Sequence, residues 1–204
     1  GQYSPTSRIG TRSPSTPFGS VDRPANPCAF ALGSGARFVA RGIDISKYLP
    51  DVLKAAHAHR GASFVEIFQN CLVYNDGVFA DFTDRSVAGD KQLWLQAGEK
   101  MLFADGSKGI ALDPAALRLK VVAGDDPSVI VHDPRNRSVA HMLVEMPASG
   151  FPVALGVIYE DPAPTFDSAV IEQNVAAAAG KAPDLQALVA KGQTWQVEKE
   201  PRAE

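Results

Sequence analysis

The sequence lacks several features that mark whole classes of protein. No apolar run approaches the roughly 18 residues that a membrane span requires, so we expect no membrane segment. Only two cysteines, Cys28 and Cys71, occur in 204 residues. Two are too few for a disulfide framework and are typical of a reducing, cytoplasmic compartment. A basic excess is also missing, because Lys and Arg number 20 against 23 Asp and Glu. That balance argues against general nucleic-acid binding.

The common catalytic and ligand-binding motifs are absent as well. The sequence has no phosphate-binding glycine-rich loop, no nucleophile elbow and no zinc-type spacing of Cys and His. His57 and His59 lie two residues apart on a predicted helix and hence on different faces, so we expect solvated side chains and not a metal pair. His132 is followed by Asp133-Pro134-Arg135-Asn136, which predicts a turn in which the chain reverses.

What is present is the composition of a globular protein. Apolar residues make up 45% and charged residues 21%, which excludes wholesale disorder and allows one large domain or two small ones. Residues 1–27 are rich in Ser, Thr, Pro and Gly and predict an irregular loop. Arg8 and Arg12 in this loop could hold an anion, although the composition favours a solvated surface loop.

Residues 38–68 carry the strongest structural pattern. Residues 38–41 and 62–68 predict strands, and a helix that begins at Ser46 and covers about 47–59 lies between them. Strand, helix and strand at this spacing form a βαβ unit, which predicts a parallel sheet in an α/β domain. Ligands of such sheets bind beyond the carboxyl ends of the strands, and Cys71 lies just beyond the second strand.

The remainder is predicted to be a smaller mixed α+β region. Irregular structure over 76–92 precedes a small antiparallel meander with strands near 93–95, 101–103 and 109–112. Residues 117–122 predict either a strand or the continuation of a helix begun at Pro114. A strand is predicted over 151–159, and helices are predicted to begin at Ser138, Asp167 and Asp184.

The two cysteines receive different interpretations. Cys28 lies in an apolar helical turn after Pro27 and is predicted to pack in the core. Cys71 is a candidate nucleophile or metal ligand. As a nucleophile it requires a base, and the spacing nominates no histidine. As a cluster ligand it requires further ligands. The residues alone also leave open a buried, structural Cys71.

Six short segments occur in an informative order. They are Gly1-Gln2-Tyr3-Ser4-Pro5-Thr6, Asn26-Pro27, residues 36–42 (ARFVARG), residues 61–67 (GASFVEI), Asn70-Cys71 and Tyr74-Asn75. This order resembles the C-terminal part of the β subunit of 2-oxoacid:ferredoxin oxidoreductases. The Gln69-Asn70-Cys71 form and residues 151–157 (FPVALGV) are most similar to enzymes of the 2-oxoglutarate type.

The resemblance implies an α/β, thiamine-diphosphate-binding fold. Residues 1–76 would be the second part of that domain, and residues 77–204 a C-terminal extension packed on partner subunits. The implied cofactors are thiamine diphosphate, magnesium and a [4Fe–4S] cluster. Cys71 matches the fourth cluster cysteine, and Gly1 and Gln2 match the end of a segment that closes the cofactor site. The family's magnesium-binding Asn and other cluster cysteines precede the match to Gly1, so this polypeptide alone is expected to bind neither cofactor nor cluster.

The activity implied by the resemblance is a coenzyme A-dependent oxidative decarboxylation of a 2-oxoacid, with 2-oxoglutarate favoured over pyruvate. Electrons would pass through the cluster to ferredoxin, in a cytoplasmic hetero-oligomer with an α subunit. Arg8 and Arg12 would then lie near anionic groups of the cofactor, the 2-oxoacid or coenzyme A, and no catalytic residue is assigned. The alternatives are a pyruvate-type enzyme of the same family and a non-catalytic α/β assembly subunit with a buried Cys71.

Overall fold

The computed structural model describes residues 3–146, 150–180, 182–195 and 197. Gly1 and Gln2, the predicted cofactor-site residues, lie outside the described residues. The chain divides into two compact units, Gly1–Ala163 and Pro164–Glu204. The predicted division after residue 76, into a cofactor-domain part and an extension, stays a prediction.

The first unit contains all seven strands of the described chain. Its elements in chain order are α1 (Pro27–Gly33), β1 (Phe38–Ile43), α2 (Leu49–Ala58), β2 (Phe64–Phe68), α3 (Ala80–Thr83), α4 (Ala88–Lys91), β3 (Gln92–Leu95), β4 (Leu102–Phe103), β5 (Lys108–Asp113), β6 (Arg118–Ala123), α5 (Arg137–Val144) and β7 (Val153–Glu160). The second unit contains α6 (Phe166–Ala178) and α7 (Leu185–Val189). Among the described residues, no helix is long and apolar enough to cross a membrane.

The larger sheet has the strand order β2-β1-β7-β3. β1 and β2 are parallel and are joined by α2, so the predicted βαβ unit and the α/β fold class are confirmed. β1 lies between β2 and β7 and is buried at all six positions, which accounts for its small and apolar residues other than Arg41. The sheet is mixed and not wholly parallel, because β7 runs antiparallel to β1.

The smaller sheet is an antiparallel meander of β4, β5 and β6. The predicted meander included residues 93–95, and this was wrong: β3 pairs in parallel with β7 in the larger sheet. Leu93 and Leu95 are buried in one core cluster together with Ala154 and Ile158 of β7. The pairing of β3 with β7 is thus favoured by the burial of these apolar side chains. Residues 118–123 form a strand, which removes the alternative of a helix continued from Pro114.

The main core lies among α1, α5 and the two sheets, and the prediction that Cys28 packs there is confirmed by its 0% exposure. The irregular segment predicted over 76–92 contains the short helices α3 and α4. Asn26 caps α1 by accepting a hydrogen bond from the N–H of Ala29, and Asp184 caps α7 as predicted.

Three predicted helix starts are displaced. The Ser46 hydroxyl accepts the N–H of Tyr48 within a turn, and α2 begins only at Leu49. α5 is capped by Asn136 instead of Ser138, and α6 by Thr165 instead of Asp167. In α5 and α6 the capping residue lies two residues before the predicted one. Its side-chain oxygen accepts a hydrogen bond from an N–H of the first turn, so the helix starts there.

His59 is buried, so the prediction of a solvated side chain was wrong for this residue, although His57 is exposed. α2 ends at Ala58, and His59 adopts an extended conformation. The side chain therefore leaves the helical spacing and lies 5.3 Å from the ring of Phe38, centroid to centroid. His132 precedes the predicted turn, in which Asp133 accepts the N–H of Arg135. His132 itself is buried, and burial lowers its pKa.

Candidate functional site

The candidate site lies where β1 and β2 end. Because these strands are parallel, their carboxyl ends meet at one edge of the sheet. The Asp44 N–H, just after β1, donates to the Phe68 carbonyl at the end of β2 over 3.1 Å. A cavity of about 230 Å³ opens at this edge; its lining residues are Asp44, Ile45, Phe68, Asn70, Gly77, Phe79, Ala80, Thr83 and Asp84.

Three phenylalanine rings form one wall of this edge. Phe68, Phe79 and Phe82 pack against one another with ring centroids 5.0 to 5.7 Å apart. Phe82 is buried in a cluster that also holds Ile43 of β1. Phe68 and Phe79 also line the cavity, so the rings give it an apolar side.

Cys71 lies in a tight loop after β2. The Asn75 N–H donates to the Cys71 carbonyl over 3.0 Å and closes the loop from inside. Hydrogen bonds from the backbone N–H of Tyr74, and then from those of Val73 and Asn75, lower the pKa of the Cys71 thiol. Sulfur with these donors is suited to exist as a thiolate, the form that binds a metal.

Cys71 is partly exposed, which disagrees with the interpretation of a buried, structural cysteine. Within the described part of the chain, no group of three or more His, Cys, Asp or Glu side chains is placed to hold a metal ion. The other cysteine, Cys28, is in the core and donates to Glu66 Oε2 over 3.3 Å. The described residues thus offer a single partly exposed thiol at this edge and not a complete metal site.

Arg8 connects the N-terminal loop to this region. Its guanidinium donates to both carboxylate oxygens of Asp81 in α3, each over 3.1 Å, and lies 5.9 Å from the centre of the Phe79 ring. Arg8 is therefore engaged by a carboxylate, while Arg12 is exposed. The binding of an anion by these arginines stays a prediction.

A buried ion pair beneath the site was not predicted from the sequence. Arg41 of β1 and Glu66 of β2 are paired in register, with Nε and Oε2 2.6 Å apart. Arg41 also donates to Asn26 Oδ1 over 3.0 Å, and Asn26 in turn donates to the Val144 carbonyl over 2.7 Å. The sequence did carry a signal for this pair. Each of the two strands is apolar except for one charged residue, Arg41 in β1 and Glu66 in β2.

A larger cavity of about 570 Å³ lies between β6 and α5. Its charged lining mixes acidic Asp113 and Glu145 with basic Arg118 and Lys120, and its described lining residues include no Cys or His. The edge that bears Cys71 therefore has the stronger chemical claim, although its cavity is smaller.

Comparison with known proteins gives a consistent picture. No family model matches the chain. The 2-oxoglutarate oxidoreductase subunit KorB of Mycobacterium tuberculosis is 37% identical over 220 residues, which cover 97% of this chain and 55% of that protein. The 2-oxoacid:ferredoxin oxidoreductase β subunit of Saccharolobus solfataricus is 36% identical over 88 residues, 43% of this chain and 29% of that protein.

A solved structure of similar fold is among the matches. It is a 2-oxoglutarate:ferredoxin oxidoreductase from Magnetococcus marinus with 2-oxoglutarate, coenzyme A and succinyl-CoA bound. The TM-score is 0.65 at 23% identity, and the match covers 95% of this chain and 53% of that one. The chain thus spans about half the length of the mycobacterial relative and of the solved chain.

Proposed function

From the homology of this chain to the β subunits of 2-oxoacid:ferredoxin oxidoreductases, we propose that it forms part of such a subunit. The reaction proposed is the coenzyme A-dependent oxidative decarboxylation of a 2-oxoacid, with ferredoxin as the electron acceptor. The observation that carries the proposal is the partly exposed Cys71, which lies beyond the carboxyl end of β2 in a chain homologous along nearly its whole length.

The substrate proposed is 2-oxoglutarate. The mycobacterial relative is named for that acid, and the solved structure of the same fold binds it. The relatives from Saccharolobus solfataricus and Aeropyrum pernix carry the broader name 2-oxoacid:ferredoxin oxidoreductase, which favours a wider range of acids, including pyruvate, as the second candidate. The ratio of kcat/KM for 2-oxoglutarate and pyruvate, measured on the enzyme with its α subunit, separates the two.

Cys71 is the proposed ligand of a [4Fe–4S] cluster. Its lowered pKa, its backbone N–H donors and its exposure fit a thiolate that binds iron. The cluster would supply one-electron transfer, and thiamine diphosphate with magnesium would supply an acceptor for the electron pair that is left when carbon dioxide departs. The other cluster ligands and the magnesium-binding Asn are proposed to come from family segments that precede the match to Gly1. Gly1 and Gln2 remain proposed cofactor-site residues.

The proposed assembly is a hetero-oligomer with an α subunit. This assembly is proposed to bind ferredoxin and coenzyme A as well. The α subunit is supported by the relatives' name, since a β subunit implies an α subunit. Coenzyme A is supported by the ligands of the solved structure. A cytoplasmic location is proposed because both cysteines are free thiols.

Cys71→Ser tests the proposal in enzyme purified anaerobically with the α subunit. We expect about four irons and four sulfides per β subunit in the parent enzyme and a loss of most of that iron in the variant. Ferredoxin reduction should fall to background, because the serine hydroxyl is a poor ligand for cluster iron. Iron and acid-labile sulfide content, with the intact mass of the same sample, are the measurements.

Cys28→Ala is the matched control. This change removes the other thiol, which is buried and bonded to Glu66, so the iron content should stay at the parent level. A Cys71→Ser enzyme with full iron and normal ferredoxin reduction would contradict the assignment. Parent enzyme without iron would favour the non-catalytic assembly subunit.

A further inference from the structure

Residues 8–23, which we call the 8–23 loop, close on themselves through hydrogen bonds at their neck. The Gly10 N–H donates to the Ser20 carbonyl over 2.8 Å, and the Ser20 N–H donates to the Thr11 carbonyl over 3.0 Å. The Arg8 carbonyl accepts from the N–H of Thr11 over 3.0 Å, from its hydroxyl over 2.6 Å and from the Ser20 hydroxyl over 2.7 Å. The two ends of the loop are therefore joined by polar contacts of the loop itself.

Two glycines allow the two sides of the neck to approach closely. Gly19 has φ +96°, and a Cβ there would lie 3.0 Å from the Cα and the carbonyl oxygen of Gly10. Both the conformation and the contact favour glycine. Farther from the neck, Ser13 and Thr16 pair as an isolated bridge, and their hydroxyl oxygens are 2.8 Å apart. A loop whose shape is set in advance loses less entropy when it binds a partner.

The large apolar side chains of this loop point away from the rest of the chain. Phe18 is 97% exposed, and Val21 and Ile9, which adjoin the neck, are 85% and 62% exposed. The burial of an aromatic side chain removes about 150–250 Å² of surface from water, and Phe18 gains almost none of this within the described chain. Aromatic side chains are enriched at the buried centres of protein interfaces. Phe18 is therefore suited to enter a pocket of a second molecule.

The charges beside these apolar side chains are mainly basic. Arg12 and Arg23 are exposed, and neither forms an ion pair with another described residue. Asp22 is the single acidic residue of the 8–23 loop, and it accepts a hydrogen bond from the Tyr3 hydroxyl over 2.6 Å. The whole chain has a formal charge of −3, so the basic character is local. It complements a partner surface with carboxylates around an apolar pocket.

The loop is attached beside the candidate site. Arg8, its first residue, pairs with Asp81 of α3 and lies over the ring of Phe79, which lines the cavity beyond β1 and β2. A protein that binds the loop therefore borders this cavity. The relatives of the chain are β subunits, whose name implies an α subunit as the partner within the enzyme.

We propose that the 8–23 loop docks the α subunit, with Phe18 in an apolar pocket of that subunit and with carboxylates at the pocket rim facing Arg12 and Arg23. This inference rests on the proposed function for the identity of the partner. A lipid surface also attracts aromatic and basic side chains, but the homology to β subunits favours a protein.

Phe18→Ala tests the anchor, and Phe30→Ala is its matched control. Both rings are exposed, at 97% and 77%, but Phe30 lies on α1, outside the loop. Circular dichroism of both variants should match the parent, and surface plasmon resonance on immobilised α subunit gives the dissociation constant. We expect Phe18→Ala to weaken binding about thirtyfold, mainly through faster dissociation, as for other aromatic anchors. Phe30→Ala should bind as the parent does.

Arg12→Glu tests the basic rim in the same assay. It should slow association severalfold at low salt and change dissociation little, because charges at a rim act mainly on the encounter of the two proteins. The difference from the parent should shrink as ionic strength rises. Arg60→Glu makes the same charge reversal at an exposed arginine after α2 and should have a smaller effect.

Equal affinities of Phe18→Ala and the parent, or equal losses in Phe18→Ala and Phe30→Ala, overturn the inference and leave the proposed function in place. Vesicles of phosphatidylcholine and phosphatidylserine test the lipid alternative, and sedimentation of the parent chain alone tests a second copy. Phe18-dependent binding in either, with unchanged affinity for the α subunit, also overturns the inference. A complex that requires Phe18 but reduces no ferredoxin supports the inference and contradicts the proposed function.

Discussion

The two thiols of this chain differ because of the groups around each sulfur. Burial, together with the nearby Glu66 carboxylate, raises the pKa of Cys28 to about 12 against the opposing effect of the Arg41 guanidinium. Backbone N–H groups lower the pKa of Cys71, which is partly exposed. At a mildly alkaline pH, Cys28 therefore stays protonated and inaccessible, while Cys71 has a larger thiolate fraction than an ordinary cysteine.

Alkylation of cluster-free protein tests this difference. Iodoacetamide at pH 8 should modify Cys71 rapidly and leave Cys28 unmodified until guanidinium unfolds the chain, because only the thiolate attacks the reagent. Mass spectrometry of the peptides that contain each cysteine measures the two rates. Similar rates for both thiols in the folded protein would contradict the burial of Cys28 and the opposite pKa shifts of the two sulfurs.

At the scale of secondary-structure elements, local patterns predicted much of the fold. The strands near 38–43 and 64–68 and the helix between them follow from apolar runs bounded by turn residues, which are local properties. The partner of β3 was not predictable in this way. Its register, with Gln92 opposite Val153, depends on a strand about 60 residues later in the chain.

The candidate site also has features that follow from local patterns and features that depend on distant segments. The place of Cys71 follows from the βαβ unit, because the carboxyl ends of parallel strands are where ligands bind. The pairing of Arg41 with Glu66 and the pairing of Arg8 with Asp81 required atoms from separate segments. The burial of His59 required knowing the residue at which α2 ends, and helix ends are the least reliable part of a sequence-based prediction.

Glu66→Ala tests the buried pair between β1 and β2. The Arg41 side chain is only 10% exposed, so the change leaves a guanidinium without its carboxylate in a place that water hardly reaches. We expect the free energy of unfolding to fall by about 3 kcal/mol, as for other broken buried pairs. Urea unfolding followed by circular dichroism measures it.

Lys54→Ala is the control for that experiment. It breaks the pair of Lys54 with Asp51 within α2, whose side chains are 78% and 74% exposed. Ion pairs that exposed contribute little, so its unfolding curve should overlay the parent curve. Equal losses in the two variants would show that the Arg41–Glu66 pair does not stabilise the sheet.

At the scale of the whole molecule, the two units differ in burial. The first unit contains the described core, whereas neither α6 nor α7 has a buried residue. Phe166, Ile171 and Val175 of α6 are 86%, 60% and 69% exposed. The proposed extension of residues 77–204 thus has one part built into the first unit, including β3 to β7, and another made of exposed helices.

Truncation after Ala163 tests whether the first unit folds without α6 and α7. Since the described residues of these helices add nothing to the buried core, we expect a cooperative urea transition at the parent midpoint. A chain that ends at Pro152 is the control and should not fold, because it lacks β7 between β1 and β3. A lower midpoint for the longer truncation would contradict the prediction.

The central place of β7 also has a consequence for synthesis on the ribosome. β1 pairs with β7 through contacts such as Val39 with Tyr159, so one edge of β1 waits for a segment made about 120 residues later. At the usual 5–20 residues per second, that wait lasts roughly 6 to 24 s. During it the nascent chain presents an apolar strand with an open hydrogen-bonding edge, the kind of surface that aggregates. The longer β1 remains unpaired, the more we expect the chain to aggregate into inclusion bodies. A chaperone that covers β1 until β7 emerges should therefore raise the yield of folded protein.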